Sequence, residues 1–401
     1  MKWTLATFFL NGALQLLFLF LVSRYVELAD YGNFSLFLSL TVLVNYLLLQ
    51  PSYASFDRFF NIGQDPDKLI IKFNGLIVFL IASSLIFTSF VFLVTDFFHY
   101  SFYVLLGVYL TFSITYSVFA KTILLRLDRY GFFCARSAEA VGRYLFPILG
   151  YLYLDSLLGL VIGLCLGFLF STGVGYWVNR KTFNLKVEFD FNLYRRMFIF
   201  SYPLIYGGIA SWGLSWCNRY FIEHFESVES VGLFSLITGI AGMAIVFSQI
   251  FSTYVNPKVL QLWESDEKGA LKFFFQALSC YGVLQIAVVL IGLFCANFVI
   301  FELAAVSYEI FPESSNIFVL MLIANVLMGF TVCFSLIFLL MNKMALFCNF
   351  QLASFFINIC GNLFIEDYGL IGAAISSVVA YLSLSVIMAW QVALWNSQIK
   401  A

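Results

Sequence analysis

The sequence predicts an all-α polytopic membrane protein with about twelve transmembrane helices, arranged as two parallel six-helix pseudo-repeats around a central cavity. Three observations predict it. The 401 residues are 62% hydrophobic and only 11% charged, with a mean hydropathy of +0.95. Soluble domains run at roughly 45–50% apolar and about 25% charged, so 21 basic and 22 acidic side chains cannot cover a water-soluble fold of this size. The apolar residues gather into about twelve runs of membrane-spanning length. Segments of the first half recur in the second at an offset of half the chain.

The runs follow in order. Trp3–Val22 is the first; Lys2 before it gives a leader-like start, but it is too long for a leader's apolar region and lacks a small-residue cleavage site before Arg24, so it is read as a retained helix. Asn33–Leu49, Phe73–Val94, Ser101–Ala120, Cys134–Tyr153 and Leu157–Val178 complete the first half. Phe198–Trp216, Val231–Tyr254, Phe274–Phe298, Ile317–Leu340, Ala345–Ile365 and Gly369–Leu394 form the second. These give an N-terminal bundle over 1–180, a cytoplasmic linker over 181–197 and a C-terminal bundle over 198–401. The fifth and seventh runs carry Pro147 and Pro203, where freed carbonyls permit a bend.

Charge in the short loops fixes the orientation. With both termini cytoplasmic, the inner segments hold 18 of the 21 basic residues, from Lys2, Arg58, Lys68 and Lys72 through Arg126 and Arg129 to Lys343 and Lys400. The outer loops keep Arg24 and Arg219. Such a split follows the positive-inside rule, and one miscounted span would invert every later loop. No loop is long enough for an appended soluble domain, which argues against an enzyme whose chemistry needs one.

The internal repeat rests on several matches. Arg24-Tyr25 precedes Tyr31-Gly32-Asn33-Phe34-Ser35-Leu36, and Arg219-Tyr220 precedes Val231-Gly232-Leu233-Phe234-Ser235-Leu236, with Gly32 and Gly232 offset by 200. Gln50-Pro51 corresponds to Asn256-Pro257, and Asp155 with Gly159-Leu160 to Asp367 with Gly369-Leu370. Six helices per half leaves both halves pointing the same way.

Ionisable groups at membrane depth are costly and therefore informative. Arg136, Glu139 and Arg143 are spaced by three and four, so they share one helical face with a net charge of +1. The face either lines a watered, anion-attracting wall, or Arg136 snorkels to headgroups while Glu139 and Arg143 form a structural pair. Arg24 and Arg219 are either a cationic outer rim or partners of nearby Glu27, Asp30 or Glu223. Asn11 and Gln15, four apart in the first run, are the amides best placed for a central seam, whereas amides such as Gln351, Asn358 and Asn362 read as inter-helix hydrogen bonds.

Other chemistry has little support. The eight cysteines are scattered with no C-x-x-C, and His99 and His224 lie far apart, so neither a metal site nor disulfides are expected. There is no Walker A sequence, no clustered acidic motif and no nucleophile–histidine–acid order in the loops. A net charge of −1 offers no broad basic face for nucleic acid.

These residues also resemble a known family. Tyr31-Gly32-x-Phe34-Ser35-Leu36 is similar to the E-Y-G-x-(Y/F)-S-L segment of polysaccharide exporters and O-antigen flippases of the Wzx type. Asn218-Arg219-Tyr220-Phe221-Ile222 with Val231-Gly232-Leu233-Phe234-Ser235 resembles their D-R-x-x-I…V-G-x-Y-S segment, and Asn218 departs from it where relatives often carry an acid. Leu124-Leu125-Arg126 through Arg136 resembles their polar approach to the fifth helix. Asn358 through Asp367-Tyr368-Gly369-Leu370-Ile371-Gly372-Ala373-Ala374 resembles their closing segment, so the likeness spans both halves.

That family lies in the superfamily of multidrug extruders, oligosaccharidyl-lipid and polysaccharide exporters. The resemblance implies a flippase, not an enzyme, moving a polyprenyl-diphosphate-linked oligosaccharide to the outer leaflet of the bacterial inner membrane by alternating access. It implies membrane lipids and polysaccharide polymerase machinery as partners, and no cofactor beyond a proton or sodium gradient. On this expectation Arg143 and Arg136 meet the diphosphate, Arg24 and Arg219 guide it on the outer side, Asn11 and Gln15 face the seam, and Glu139 couples an ion. The alternatives are a drug or cation antiporter of the extruder branch, which would call for an acid-dominated cavity, and a polytopic polymerase or ligase, which would need a large outer loop.

Overall fold

The computed structural model describes residues 2–60, 66–94, 100–126, 128–180, 186–263, 265–307 and 310–400. His99, and Lys181 at the start of the expected linker, lie outside the described residues, as do the side chains of Lys2, Arg58, Lys68 and Lys400. Every described apolar run is helical, and eleven segments are long and apolar enough to cross a membrane. The twelfth predicted span is a 26-residue helix, Arg129–Leu154, set apart by the charges it carries.

The chain divides into two compact units, Met1–Gly208 and Ile209–Ala401. The first holds α1 (Lys2–Tyr25), α2 (Leu28–Val44), α3 (Gln50–Phe60), α4 (Pro66–Val94), α5 (Tyr100–Leu125), α6 (Arg129–Leu154) and α7 (Leu157–Asn179). Helix α8 (Phe191–Trp216) contains the boundary. The second unit continues with α9 (Asn218–Phe225), α10 (Val228–Ala241), α11 (Ile245–Trp263), α12 (Glu267–Asn297), α13 (Ser314–Leu340), α14 (Met344–Asn362) and α15 (Ile365–Lys400).

Short polar side chains start several helices where the sequence places them. The carboxylates of Asp128, Asp190 and Asp266 each accept the N–H three residues on, at 2.9 Å, satisfying a donor that the first turn leaves open. Because Asp190 starts α8, residues 191–197 of the predicted linker are helical. The preceding residues 186–190 lie along the start of α4. Lys72 meets Asp190 at 2.8 Å, Asn74 donates to the Lys186 carbonyl, and Tyr194 Oη donates to the carbonyls of Lys72 and Glu188. The Lys72 ammonium, through this hydrogen bond, holds the Asp190 carboxyl below the usual aspartate range.

Two runs read as single spans are interrupted. α2 passes through a π-helical turn at Asn45–Leu49 into α3, and α10 passes through a 3₁₀ turn at Gly242–Ala244 into α11. In the last run, Gly369 takes φ 56 and ψ −144, so the helix proper begins after it. This is a backbone conformation that side-chain-bearing residues rarely adopt.

Packing within each unit follows from lipid as solvent: helices gain little hydrophobic drive from associating and rely on close fit. α6 and α7 touch backbone to backbone. A Cβ on Gly142 would meet the Gly167 carbonyl, and one on Gly150 the Gly159 carbonyl, which fixes the rotation of α6. Elsewhere aromatic rings fill the space, with Phe56 stacked on Phe73 at 3.9 Å in the first unit and Phe338 against Trp395 at 4.9 Å in the second. α4 and α12 turn Ile86, Leu93, Val283 and Phe294 outward, the apolar surface that a surrounding bilayer requires.

Candidate functional site: a charged stripe on α6

The three charged residues of α6 come together as their spacing predicts. Glu139 accepts from Arg136 Nη1 at 2.5 Å through Oε2, and from Arg143 Nη2 at 3.2 Å through Oε1. The pair of arginines is nearly half exposed (44% and 46%), whereas the carboxylate between them is only 12% exposed. Aromatic rings back the guanidiniums, Phe132 at 5.5 Å from Arg136 and Phe168 of α7 at 5.7 Å from Arg143.

Sequence reasoning missed the group that fixes this arrangement. Tyr116 of α5 is buried, and its hydroxyl lies 3.0 Å from Glu139 Oε2 and 3.0 Å from the Ala135 carbonyl. Nothing in the fourth apolar run distinguishes Tyr116 from the other aromatics in it, because the contact is made between helices. The assembly is a carboxylate locked from behind with two arginines presented in front. Its net charge of +1 and remaining N–H donors suit an oxyanion with several oxygens.

The remaining predicted residues are distributed differently. Gln15 sits close by on α1, its Oε1 3.5 Å from the Tyr144 hydroxyl of α6, and Asn11 is exposed one turn earlier. Arg24 ends α1, exposed, with its guanidinium stacked 3.7 Å over the Phe20 ring. Arg219, read as part of an outer rim or as a partner of nearby acids, is 5% exposed within the second unit. Its Nε donates to Ser235 Oγ at 3.0 Å, its Nη1 donates to the Ser215 carbonyl at 3.0 Å, and the guanidinium packs 4.2 Å from the Trp216 ring.

The amides of the second unit form an uncharged buried network. Asn362 Nδ2 donates to Asn218 Oδ1 at 2.9 Å, Asn218 Nδ2 donates to Ser377 Oγ at 2.7 Å, and Asn358 Nδ2 donates to Ser376 Oγ at 3.1 Å. These bonds tie α9, α14 and α15 together, the inter-helix role expected of Asn358 and Asn362. Among the described residues, no three His, Cys, Asp or Glu side chains gather as a metal would require.

By sequence the chain matches no family model and no curated protein. Solved structures are similar to it over nearly its whole length. The lipid II flippase MurJ, in an inward closed conformation, superposes with a TM-score of 0.76 at 14% identity, covering 98% of this chain and 87% of that one. An inward-facing multidrug resistance MATE family transporter of the MOP superfamily gives 0.70 at 14% identity, covering 97% and 95%. A MATE transporter of Vibrio cholerae gives 0.64 at 12% identity, covering 99% and 95%. The likeness shows a shared fold, that of polytopic membrane transporters.

Proposed function

We propose that the chain is a flippase of the polysaccharide exporter and O-antigen type, carrying a polyprenyl-diphosphate-linked oligosaccharide from the inner to the outer leaflet of the bacterial inner membrane. The observation that carries this reading is the α6 stripe, two half-exposed arginines and one shielded carboxylate on a helix otherwise of membrane character. Arginine gives phosphate two parallel hydrogen bonds where lysine gives a point charge, and a diphosphate offers enough oxygens for both guanidiniums. Exposing this face alternately to the two sides of the membrane would move the headgroup, while the prenyl tail stays in lipid. Gln15 and Asn11 on the neighbouring α1 supply amides for sugar hydroxyls, and Arg24 lies on the path at the outer end of that helix.

The transporters that share the fold support a transporter reading, one being a lipid II flippase and others multidrug transporters. An extruder of cationic drugs calls for an acid open to its cargo. Here the one carboxylate of the stripe is already bracketed by two guanidiniums and a tyrosine hydroxyl.

The deciding experiment measures flipping of lipid-linked oligosaccharide in cells or proteoliposomes. Arg143→Ala and Arg136→Ala are each expected to lower the rate by tenfold or more, on the order of what loss of a charge-assisted bidentate contact costs. Normal export by well-expressed variants would overturn the proposal.

A further inference from the structure

Glu139 has no evident use in an anion site. One carboxylate between two arginines halves the positive charge that a phosphate would meet, so a site built only to bind would leave it out. Yet it is the most firmly held member of the stripe: Oε1 takes Arg143, Oε2 takes Arg136 and the Tyr116 hydroxyl, and the side chain is shielded while the arginines are not. Tyr116 in turn is held by the Ala135 carbonyl, which shares the hydroxyl proton with Glu139, and by edge packing against Phe168 at 6.2 Å. The carboxylate is therefore the anchored part, and the half-exposed guanidiniums are the parts with room to turn.

We infer that Glu139 is an internal anion that competes with the substrate's diphosphate for Arg136 and Arg143, and so keeps substrate affinity low enough for release. The inference rests on the reading that these arginines hold the phosphates. With the site empty, two guanidiniums on one face of a membrane helix repel each other and lack a counter-charge, an expensive state that Glu139 relieves. When a diphosphate arrives, the arginines exchange one anion for another. Tyr116 keeps the displaced carboxylate close behind them, and its repulsion of the phosphate oxygens remains. A carrier has to bind on one side and let go on the other, as a conducting pore must bind weakly enough to pass its ion on. Tyr116 is on this account a positioning residue that holds the competitor in place.

The test uses the full chain in nanodiscs and inorganic pyrophosphate as probe, at fixed pH and ionic strength. Glu139→Gln keeps the shape and the tyrosine bond and removes the charge. It is expected to bind pyrophosphate about tenfold more tightly, the scale of one removed like charge near the ligand, and to lower both KM and kcat for flipping. Tyr116→Phe keeps every charge and frees the carboxylate to withdraw, with binding expected about two- to threefold tighter. Unchanged or weaker binding in either variant would overturn the inference. The double variant Arg136→Ala/Arg143→Ala separates the two levels. If it loses pyrophosphate binding while Glu139→Gln binds no tighter, only the role of Glu139 fails. If it binds as the unaltered protein does, the arginine site itself fails.

Discussion

Arg24 and Arg219 head the same motif in the two halves, yet only one guanidinium is buried. The spacing differs: Ser35 lies eleven positions after Arg24, whereas Ser235 lies sixteen positions after Arg219, and it is the Ser235 hydroxyl that accepts from the Arg219 guanidinium. The motif match was legible in the sequence, but the burial was not, because it depends on contacts with Ser235 of a neighbouring helix and with the Trp216 ring that no residue pattern announces. A buried guanidinium with two hydrogen bonds and a ring beneath it holds structure together. Arg219→Ala is expected to destabilise the protein by about 2–4 kcal/mol, through loss of the hydrogen bonds to the Ser235 hydroxyl and the Ser215 carbonyl. Pyrophosphate affinity should stay as in the unaltered protein. Thermal unfolding in detergent reads the first and calorimetry the second; a variant that melts normally but binds poorly would return Arg219 to the substrate path.

At the scale of elements, the length of the apolar runs located the helices well and their interruptions poorly. The α2–α3 and α10–α11 runs contain turns of altered hydrogen-bond register in stretches whose composition stays apolar throughout, and hydropathy carries no information about register. The α6 stripe was legible for the opposite reason: three charges at helical spacing need only the 3.6-residue period to share a face. The segment 186–190 makes a testable case of its own. Its Asp190 carboxyl has a depressed folded-state pKa, held there by Lys72, so the bridge stabilises fully above the unfolded aspartate value of about 4 and is lost as pH falls through the lower folded value. Asp190→Asn lacks the charge at every pH. Its melting temperature should lie below that of the unaltered protein at neutral pH, and the gap should close as the buffer is taken below about pH 4. A gap of unchanged size as the pH falls from neutral through the acid range would show that the ion pair is not its source.

For the whole molecule, the sequence-level topology turns on α6. Among the described residues eleven segments are long, apolar and charge-poor enough to cross a membrane, and an odd count would put the two termini on opposite sides of it. The basic residues argue for a twelfth crossing. If α6 did not cross, everything from α7 onward would invert, and Arg195, Arg196, Lys258, Lys268, Lys272 and Lys343 would all face outward, against the positive-inside rule. The packing is compatible with the charge argument: α6 lies backbone to backbone against α7 at Gly142–Gly167 and Gly150–Gly159, a close fit over about two turns. Its charges are tolerated because they neutralise one another in part, with the two guanidiniums nearly half exposed and the carboxylate held between them. A reporter active only outside the cytoplasm is therefore expected to work when fused after Asp155, in the α6–α7 turn, and to fail when fused after Lys186 or at the C-terminus. A fluorescent protein that matures only in the cytoplasm should give the reverse pattern. Activity of the external reporter at the C-terminus would mean eleven crossings, and would take the arginine stripe out of the membrane.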